Sequence, residues 1–342
     1  MYSIHGFMGS ACRWYVLYEI GRILCVMFQS AQPLALGIDI GGTNTSFGIV
    51  DRRGEILFRG HMPTTGHHTV HQYIAALSRE LAPVLEKAGK ENIVGVGVGA
   101  PNGNYFTGEI AYAPNLPWEG VIPLVKLLGE ALHLKVTLTN DANAAAIGEM
   151  AYGAAKGMKD FIVVTLGTGV GSGFVANGEM IYGHDGFAGE LGHVISVRNG
   201  RKCGCGRYGC LETYASATGI VRTAEEWLAE RDDETVLRQH QGSVTSKLIH
   251  TAADEGDTFA IEIFEFTGKI LGQTLADAVA ITSPQAVIFF GGLSKAGELI
   301  IGPVREHMEA NLLKIYKNKI SLLHSALPDA DAAILGASAL VW

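Results

Sequence analysis

Three cysteines and one histidine lie close enough along the chain to bind a metal ion: His193, Cys203, Cys205 and Cys210. Three thiolates and an imidazole complete a tetrahedral zinc site and leave no position for water, so such a site is structural. Reduced thiols without a metal are the alternative. Two glutamates flank the cluster, Glu190 before it and Glu212 after it. We expect zinc to fix both glutamates on a short loop that would otherwise be flexible.

Two turns of glycine and threonine follow apolar runs and could bind phosphate. Gly41-Gly42-Thr43 and Gly167-Thr168-Gly169 can each direct backbone N–H groups toward an anion and add a hydroxyl donor. Asp39, just before the first turn, could hold Mg²⁺ directly or through water. Alternatively, its carboxylate caps the turn amides. A third turn, Gly291-Gly292, follows the apolar run Ala286–Phe290 and suits the close approach of a flat adenine.

The sequence lacks the motifs of two common nucleotide-binding folds. It contains no GxxxxGK[ST] phosphate loop, which excludes that class of NTPase. No GxGxxG motif opens a strand-to-helix turn with an acidic residue about 20 positions later, which weakens a dinucleotide-binding interpretation.

Asn140 and Asp141 lie where a predicted strand, Lys135–Thr139, passes into a predicted helix, Ala142–Tyr152. Ligands of α/β folds bind at the carboxyl ends of strands, which suits a catalytic carboxylate at this point. Asn and Asp also favour the N-cap of a helix, so capping is the alternative. Asn115 adds a further amide. Asn, Asp, Glu and His side chains around one cleft could bind sugar hydroxyls.

Strand and helix signals alternate from Leu34 onward and place these residues at strand ends. The predicted strands are Leu34–Ile40, Thr45–Val50, Glu55–Gly60, Ile93–Gly99, Lys135–Thr139, Phe161–Leu166, Gly171–Ala176 and Ala286–Phe290, and the predicted helices are Thr69–Ala88, Pro123–Leu132 and Ala142–Tyr152. GIDIGGTNTSFGIVD (37–51) and VTLGTGVGSGFVANG (164–178) are both a strand, a glycine–threonine turn and a strand. This repetition predicts a duplicated α/β domain whose two turns serve one ligand. Two unrelated hairpins are the alternative.

The composition of the 342-residue chain favours a globular enzyme of about two domains. Hydrophobic residues make up 48% and charged residues 18%, which excludes disorder. A net charge of −8 argues against a nucleic-acid or anionic-membrane partner. No stretch of sequence is long and apolar enough to predict a transmembrane helix. Five unevenly spaced cysteines favour a reducing, cytoplasmic compartment over a disulfide framework.

Residues 1–33 differ from the rest of the chain. They show no strand alternation, and Glu19 and Arg22 interrupt the apolar run that a signal peptide needs. We interpret this stretch as translated upstream sequence outside the fold, with a natural start near Met27 and the fold beginning at Leu34. A signal peptide and an ordered appendage are the alternatives.

Five motifs, in this order, resemble those of the ROK family of repressors, open reading frames and sugar kinases: DIGGTN (39–44), NDANAAAIGE (140–149), LGTGVGSG (166–173), GELGH (189–193) and CGCGRYGCLE (203–212). The resemblance runs from about Leu34 to the C-terminus. It implies an α/β fold of two actin-like (ribonuclease H-like) domains around a cleft. Residues 34–140 plus 331–342 would form the smaller domain, with a C-terminal helix packed back on it, and 141–330 the larger domain with the zinc site.

The resemblance also implies an activity, the transfer of the γ-phosphoryl group of ATP, with Mg²⁺, to a hexose, most readily glucose. Asp141 matches the family's catalytic base. Sugar contacts are matched by Asn115, Asn140, Asp141, Glu190, His193 and Glu212. Phosphate contacts are matched by Gly41, Gly42, Thr43 and Thr168, to which we add Asp39, Asn44, Gly167, Gly169, Gly291 and Gly292 as nucleotide contacts. Asn44 stands where many members carry lysine.

Other functions within the family stay open. N-acetylmannosamine, fructose, mannose and allose are alternative sugar substrates. Regulators of the family carry an N-terminal helix-turn-helix region of some 60 or more residues, and the 33 residues before Leu34 are too few for that module. A sugar-binding protein without activity is a further alternative, weakened by the presence of Asp141 and both glycine–threonine turns. We expect a homodimer, the commonest closed assembly.

Overall fold

The computed structural model describes residues 14–19, 22–27, 32–328 and 331–342, the first two ranges by their backbone alone. In these two ranges, β1 (Trp14–Glu19) and β2 (Arg22–Met27) form an antiparallel hairpin with Trp14 opposite Met27. The sequence pattern missed this hairpin because it does not alternate. Its residues are instead rich in aromatic and β-branched types, which favour strands. Within the described ranges, β1 and β2 pair only with each other.

A five-stranded mixed sheet forms the first half of the molecule. Its strands lie in the order β5-β4-β3-β6-β9, with β3 (Leu34–Ile40), β4 (Asn44–Asp51), β5 (Ile56–Pro63), β6 (Ile93–Gly99) and β9 (Val136–Thr139). β3 and β4 are an antiparallel hairpin, whereas β6 and β9 run parallel to β3. Helices α1 (Val70–Ala88) and α2 (Leu124–Leu132) pack on this sheet in one apolar core. A small ribbon of β7 (Ile110–Ala111) and β8 (Val121–Ile122) lies before α2.

A second five-stranded sheet repeats the same topology. Its order is β12-β11-β10-β13-β14, with β10 (Phe161–Leu166), β11 (Val170–Ala176), β12 (Glu179–Met180), β13 (Ala286–Phe290) and β14 (Ser321–His324). Again a hairpin, β10–β11, is followed by two parallel strands. The helices that follow in this half are α4 (Glu212–Ala215), α5 (Ala217–Glu230), α6 (Ser246–Asp254), α7 (Thr258–Thr282) and α8 (Glu298–Asn311). The repeat confirms the duplicated α/β fold.

Two helices of small residues connect the sheets. α3 (Asp141–Tyr152) packs on β11 of the second sheet, and α9 (Ala332–Ala339) packs on β3 of the first. A Cβ at Gly37 of β3 would lie 2.9 Å from Ser338 N, and one at Gly148 of α3 would lie 2.8 Å from Gly336 Cα. These glycines let the backbones touch, so the layers run from the first sheet through α9 and α3 to the second sheet.

The predicted strands and helices are confirmed to within three residues at each end. Strands β7, β8, β12 and β14 and the helices from α4 to α8 were not predicted. In the portion of the chain that the structure describes, no helix combines the length and apolarity that a membrane span requires.

Candidate active site

Two aspartates from neighbouring elements meet at the carboxyl end of the first sheet. Asp39 lies near the end of β3, and Asp141 is the first residue of α3, directly after β9. Gly99 ends β6, the strand between them, and a Cβ there would lie 3.6 Å from Asp39 Oδ1 and 3.9 Å from Asp141 Cα. Burial, and then the charge of Asp141, raise the pKa of Asp39 to about 7. The Asp141 side chain is open to the cleft, yet the protein around the cleft excludes enough water to raise its pKa too.

Asn140, rather than Asp141, is the N-cap of α3. Asn140 Oδ1 accepts a hydrogen bond from Asn143 N at 2.7 Å, and the Asn140 backbone is extended. Asp141 Oδ1 accepts a hydrogen bond from Ala142 N at 2.8 Å. The capping alternative therefore applies to Asn140, and Asp141 is not needed as the cap.

The first glycine–threonine turn contacts the loop of Asn115. Gly41 N donates to Asn44 O at 3.0 Å and closes the turn, while Thr43 and Asn44 are exposed. A Cβ at Gly42 would lie 2.5 Å from Asn115 O, so only glycine fits without displacing that loop. Gly42, a predicted phosphate contact, therefore lies next to Asn115, a predicted sugar contact.

The second glycine–threonine turn is held from behind and open in front. Gly167 N donates to Gly169 O at 3.0 Å. At the start of α5, Ala217 N donates to Gly167 O at 2.8 Å, and Thr218 Oγ1 donates to Thr168 O at 2.7 Å. A Cβ at Gly167 would meet no other atom within 4 Å. This turn therefore has a fixed shape and free space on one side, as a phosphate site requires.

The third turn, Gly291-Gly292, lies against β10, the strand that leads into the second glycine–threonine turn. Gly291 has a φ of +101°, and a Cβ there would lie 2.7 Å from Leu166 O, at the end of β10. A cavity of about 350 Å³ lies beside it, lined by Phe290, Gly291, Ser294 and His324 among others. A Cβ at Gly292 would meet open space. The position suits the nucleotide contact that the sequence predicts.

Four of the predicted sugar-binding residues form a polar cluster: Asp141, Glu190, His193 and Glu212. Burial is the largest cause of the raised pKa of Glu190. The charge of His193 lowers that pKa, and the charges of Asp141 and Glu212 raise it. His193 Nδ1 lies 3.6 Å from Glu212 Oε1. A Cβ at Gly169 would lie 2.9 Å from Glu212 Oε2, so this polar cluster borders the second turn. Asn115 joins the site through the first turn instead.

The four predicted zinc ligands converge on one point. Their ligand atoms all lie within 4.8 Å of one another. Cys205 Sγ is 3.6 Å from Cys210 Sγ, and Cys203 Sγ is 3.8 Å from His193 Nδ1. With Zn–S bonds of about 2.3 Å, tetrahedral ligands lie about 3.8 Å apart. A hydrogen bond from the Arg207 backbone lowers the pKa of Cys205 to about 6, toward the thiolate that binds metal, whereas burial raises the pKa of Cys203 and of Cys210. The donor set and its spacing fit zinc.

The cysteine loop is also held by backbone hydrogen bonds, which the sequence did not reveal. Cys203 N donates to Arg207 O at 2.8 Å, Gly209 N donates to Arg201 O at 2.8 Å, and Leu211 N donates to Val194 O at 2.9 Å. These bonds give the loop a defined shape of its own.

A chain of buried hydroxyl groups behind the first turn was also missed. Thr45 Oγ1 lies 2.9 Å from Thr64 Oγ1 and 2.8 Å from Tyr73 OH, and all three residues are fully buried. Thr64 N donates to Thr43 O in the turn at 2.8 Å. The Tyr73 ring lies 4.6 Å from that of Trp118, in the Asn115 loop. In the sequence, Tyr73 is indistinguishable from an ordinary core residue of a helix.

Two sheets of the same topology, each with a glycine–threonine turn in its hairpin, and two carboxylates at the carboxyl end of the first sheet define an actin-like α/β protein. The chain belongs to the ROK family, whose family model matches residues 35–342.

Individual relatives are enzymes and regulators. A glucokinase of Halalkalibacterium halodurans is 36% identical over 316 residues, which cover 90% of this chain and 94% of the relative. The structure of a ROK family glucokinase from Streptomyces griseus in complex with glucose and AMPPNP is 33% identical, with a TM-score of 0.74 over 90% of this chain and 98% of that one. The DNA-binding transcriptional dual regulator NagC of Escherichia coli is 26% identical over 330 residues, covering 94% of this chain and 78% of the relative.

Proposed function

We propose that this chain transfers the γ-phosphoryl group of ATP to glucose, yielding glucose 6-phosphate, with Asp141 as the general base. Glucokinases 35–37% identical over most of the chain support ATP-dependent glucose phosphorylation, and the enzyme is accordingly an ATP-dependent sugar kinase. The observation that carries the assignment of the base is the position of Asp141. It shares the space at Gly99 with Asp39 beside the first turn, and its charge acts on Glu190 in the polar cluster.

Asp141 would act late in the reaction. A carboxylate is a far weaker base than an alkoxide, even with the raised pKa that burial gives it, so it cannot remove the hydroxyl proton in advance. It can orient the sugar hydroxyl for in-line attack and accept the proton as the phosphoryl group transfers through a loose transition state. Holding the two reactants in line supplies much of the remaining acceleration.

The other site residues divide into two groups by the ligand they face. Asn115, Asn140, Glu190, His193 and Glu212 would bind sugar hydroxyls. The nucleotide would be bound by Gly41, Gly42, Thr43, Asn44, Gly167, Thr168, Gly169, Gly291 and Gly292.

Mg²⁺ and zinc are the metal ions that these residues fit. Asp39 lies beside a second carboxylate, and burial, followed by the charge of Asp141, raises its pKa to about 7. A divalent cation held by Asp39, directly or through water, would relieve that repulsion and neutralise phosphate charge. His193, Cys203, Cys205 and Cys210 would hold a structural zinc ion.

A sugar-responsive regulator is the second candidate, because NagC matches 94% of this chain. Sugar binding alone would not require the open second turn or the paired carboxylates. The two functions differ in whether ATP is consumed, which an experiment decides directly.

A coupled assay of ADP release across a panel of hexoses tests the proposal. Glucose should give the highest kcat/KM among glucose, mannose, fructose, allose and N-acetylmannosamine. Because binding one polar group correctly can be worth several powers of ten, the preferred sugar should stand out. Sugar binding without ADP release from any hexose would favour the regulator.

We further propose a cytoplasmic homodimer that binds no nucleic acid, built of a smaller domain (34–140 plus 331–342) and a larger one (141–330). None of the three cysteines of the cluster forms a disulfide, as expected in a reducing compartment. Light scattering on the purified protein measures its mass directly, and a monomer would contradict the dimer.

A further inference from the structure

Arg201, two residues before the first cysteine of the cluster, is buried with only 8% of its surface exposed. Burying a guanidinium is costly unless every donor is paired. Nε and Nη2 both donate to Glu226 Oε2, at 2.9 and 2.6 Å. Nη1 donates to Thr213 O at 2.7 Å and Gly219 O at 3.3 Å, and Nη2 also donates to Thr223 Oγ1 at 2.9 Å. A guanidinium has five N–H donors, and these bonds use all of them.

The partners of Arg201 lie on two elements that follow the cysteine loop. Thr213 belongs to α4, the short helix whose first residue is Glu212, and Glu226 belongs to α5. The Arg201 guanidinium also stacks over the Tyr214 ring, with Cζ 4.5 Å from its centroid, and Arg201 N donates to Tyr214 OH at 2.8 Å. The side chain therefore joins the base of the loop to the helices beyond it.

The backbone of Arg201 closes the loop at the same point. Gly209 N donates to Arg201 O at 2.8 Å. One residue further into the loop on each side, Lys202 and Tyr208 form an antiparallel β-bridge. Cys210 follows at once and Glu212 two residues later. Fixing Arg201 thus fixes both ends of the loop relative to Glu212.

We propose that Arg201 is a positioning residue, which holds the cysteine loop and Glu212 in place independently of the metal and thereby sets the affinity for the sugar. The claim about sugar affinity rests on the proposed function, whereas the claim that Arg201 holds the loop and Glu212 in place does not. Lysine cannot substitute, because its ammonium has three donors at one point and cannot reach partners on both helices or stack on a ring.

Arg222 offers a matched control. It binds the same glutamate, with Nε 2.9 Å from Glu226 Oε1, and it also donates to Lys202 O at 3.1 Å. Its side chain is 43% exposed, compared with 7% for that of Arg201. Arg222→Lys therefore replaces an arginine that binds the same glutamate, Glu226, and leaves the five buried hydrogen bonds of the Arg201 side chain in place.

The first experiment follows amide hydrogen exchange in residues 201–212 after the metal is removed with a chelator. The wild-type protein and Arg222→Lys should keep the amides of Cys203 and Gly209 protected, and Arg201→Lys should exchange them at least about tenfold faster. Free exchange of this loop in the metal-depleted wild-type protein would overturn the inference, whether or not the protein is a kinase.

The second experiment measures both Michaelis constants in the intact protein. Arg201→Lys should raise the sugar KM at least about tenfold and leave the ATP KM within about twofold, with Arg222→Lys unchanged in both. An unchanged sugar KM, or an equal rise in both constants, would contradict a positioning role. If Arg201→Lys does not fold, Glu226→Gln provides the test. This variant should raise the sugar KM and leave the ATP KM unchanged, and an equal change in both constants would contradict the proposal. Wild-type protein without kinase activity but with a protected loop would overturn the proposed function alone.

Discussion

Asp39 Oδ1 and Asp141 Cα both lie beside Gly99 at the carboxyl end of the first sheet, 3.6 Å and 3.9 Å from the position that a Cβ there would take. The two carboxylates repel each other, because the charge of Asp141, after burial, raises the pKa of Asp39. The arrangement lowers stability in the empty protein and supplies negative charge where a cation and a reacting hydroxyl would meet.

Asp141→Asn should abolish most activity without unfolding the protein. Losing a general base typically lowers the rate by 10² to 10⁴, so we expect kcat to fall at least about 100-fold, with sugar binding still measurable. Removing one of the two repelling charges should leave the melting temperature equal or higher. Kinetics and thermal unfolding of the same sample check both.

The control for Asp141→Asn is a cap far from the site. Thr245 Oγ1 accepts from Leu248 N at 3.2 Å at the start of α6, so Thr245→Ala should cost about 0.5–2 kcal/mol of stability and leave kcat unchanged. If Asp141→Asn instead kept more than about a tenth of kcat and melted markedly lower, the base would lie elsewhere.

Gly167→Ala should weaken ATP binding without changing stability. A Cβ at Gly167 would meet no protein atom within 4 Å, so only a ligand can clash with it. We expect the ATP KM to rise about tenfold, or about 1.4 kcal/mol, with the sugar KM and the melting temperature unchanged. Gly302→Ala, on the surface of α8, is the control and should change neither constant. An unchanged ATP KM in Gly167→Ala would exclude a phosphate close to this turn.

The cysteine cluster should bind about one zinc ion per chain. Cys205→Ser should lose the metal and raise the sugar KM far more than the ATP KM, because His193, a predicted ligand of both the metal and the sugar, would lose its fixed position while Arg201 keeps Glu212 in place. Metal analysis of protein purified without chelator measures the stoichiometry. Protein that holds no metal under those conditions would refute the site.

Tyr73→Phe should affect the phosphate turn selectively. The change removes a buried hydrogen bond to Thr45, worth about 0.5–1.5 kcal/mol, and keeps the ring that packs on Trp118. We expect a modest fall in melting temperature and a rise in the ATP KM, because the Thr45–Thr64 pair supports Thr43. Tyr152→Phe also loses a hydrogen bond, from Trp342 Nε1, away from the cleft, and should lower stability only. Equal effects of the two variants on the ATP KM would contradict this.

A protein that begins at Met27 should keep its activity and melting temperature. The first hairpin, β1 with β2, pairs only with itself within the described ranges. A loss of more than about 1 kcal/mol, a large part of a typical 5–15 kcal/mol stability, would show that the segment packs on the fold. Denaturant titration of both proteins makes the comparison.

The sequence predicted the elements that carry the chemistry and missed the contacts that support them. Strands such as β3 and β10 were found because buried apolar runs end in glycine turns, a pattern local to a few residues. Asp141 was found for the same reason, at a strand-to-helix junction. Arg201 and Tyr73 act through partners 12 to 28 residues away, and no local pattern marks such pairs.

The packing of α9 on the first sheet has a consequence for synthesis. β3 is covered by residues 332–339, which are synthesised long after it, through backbone contacts that leave no room for a Cβ at Gly37. A nascent chain therefore carries an incompletely covered first sheet until α9 leaves the ribosome, while the second sheet can already fold. Shortening the C-terminus by a dozen residues should yield aggregation during expression rather than a smaller folded protein.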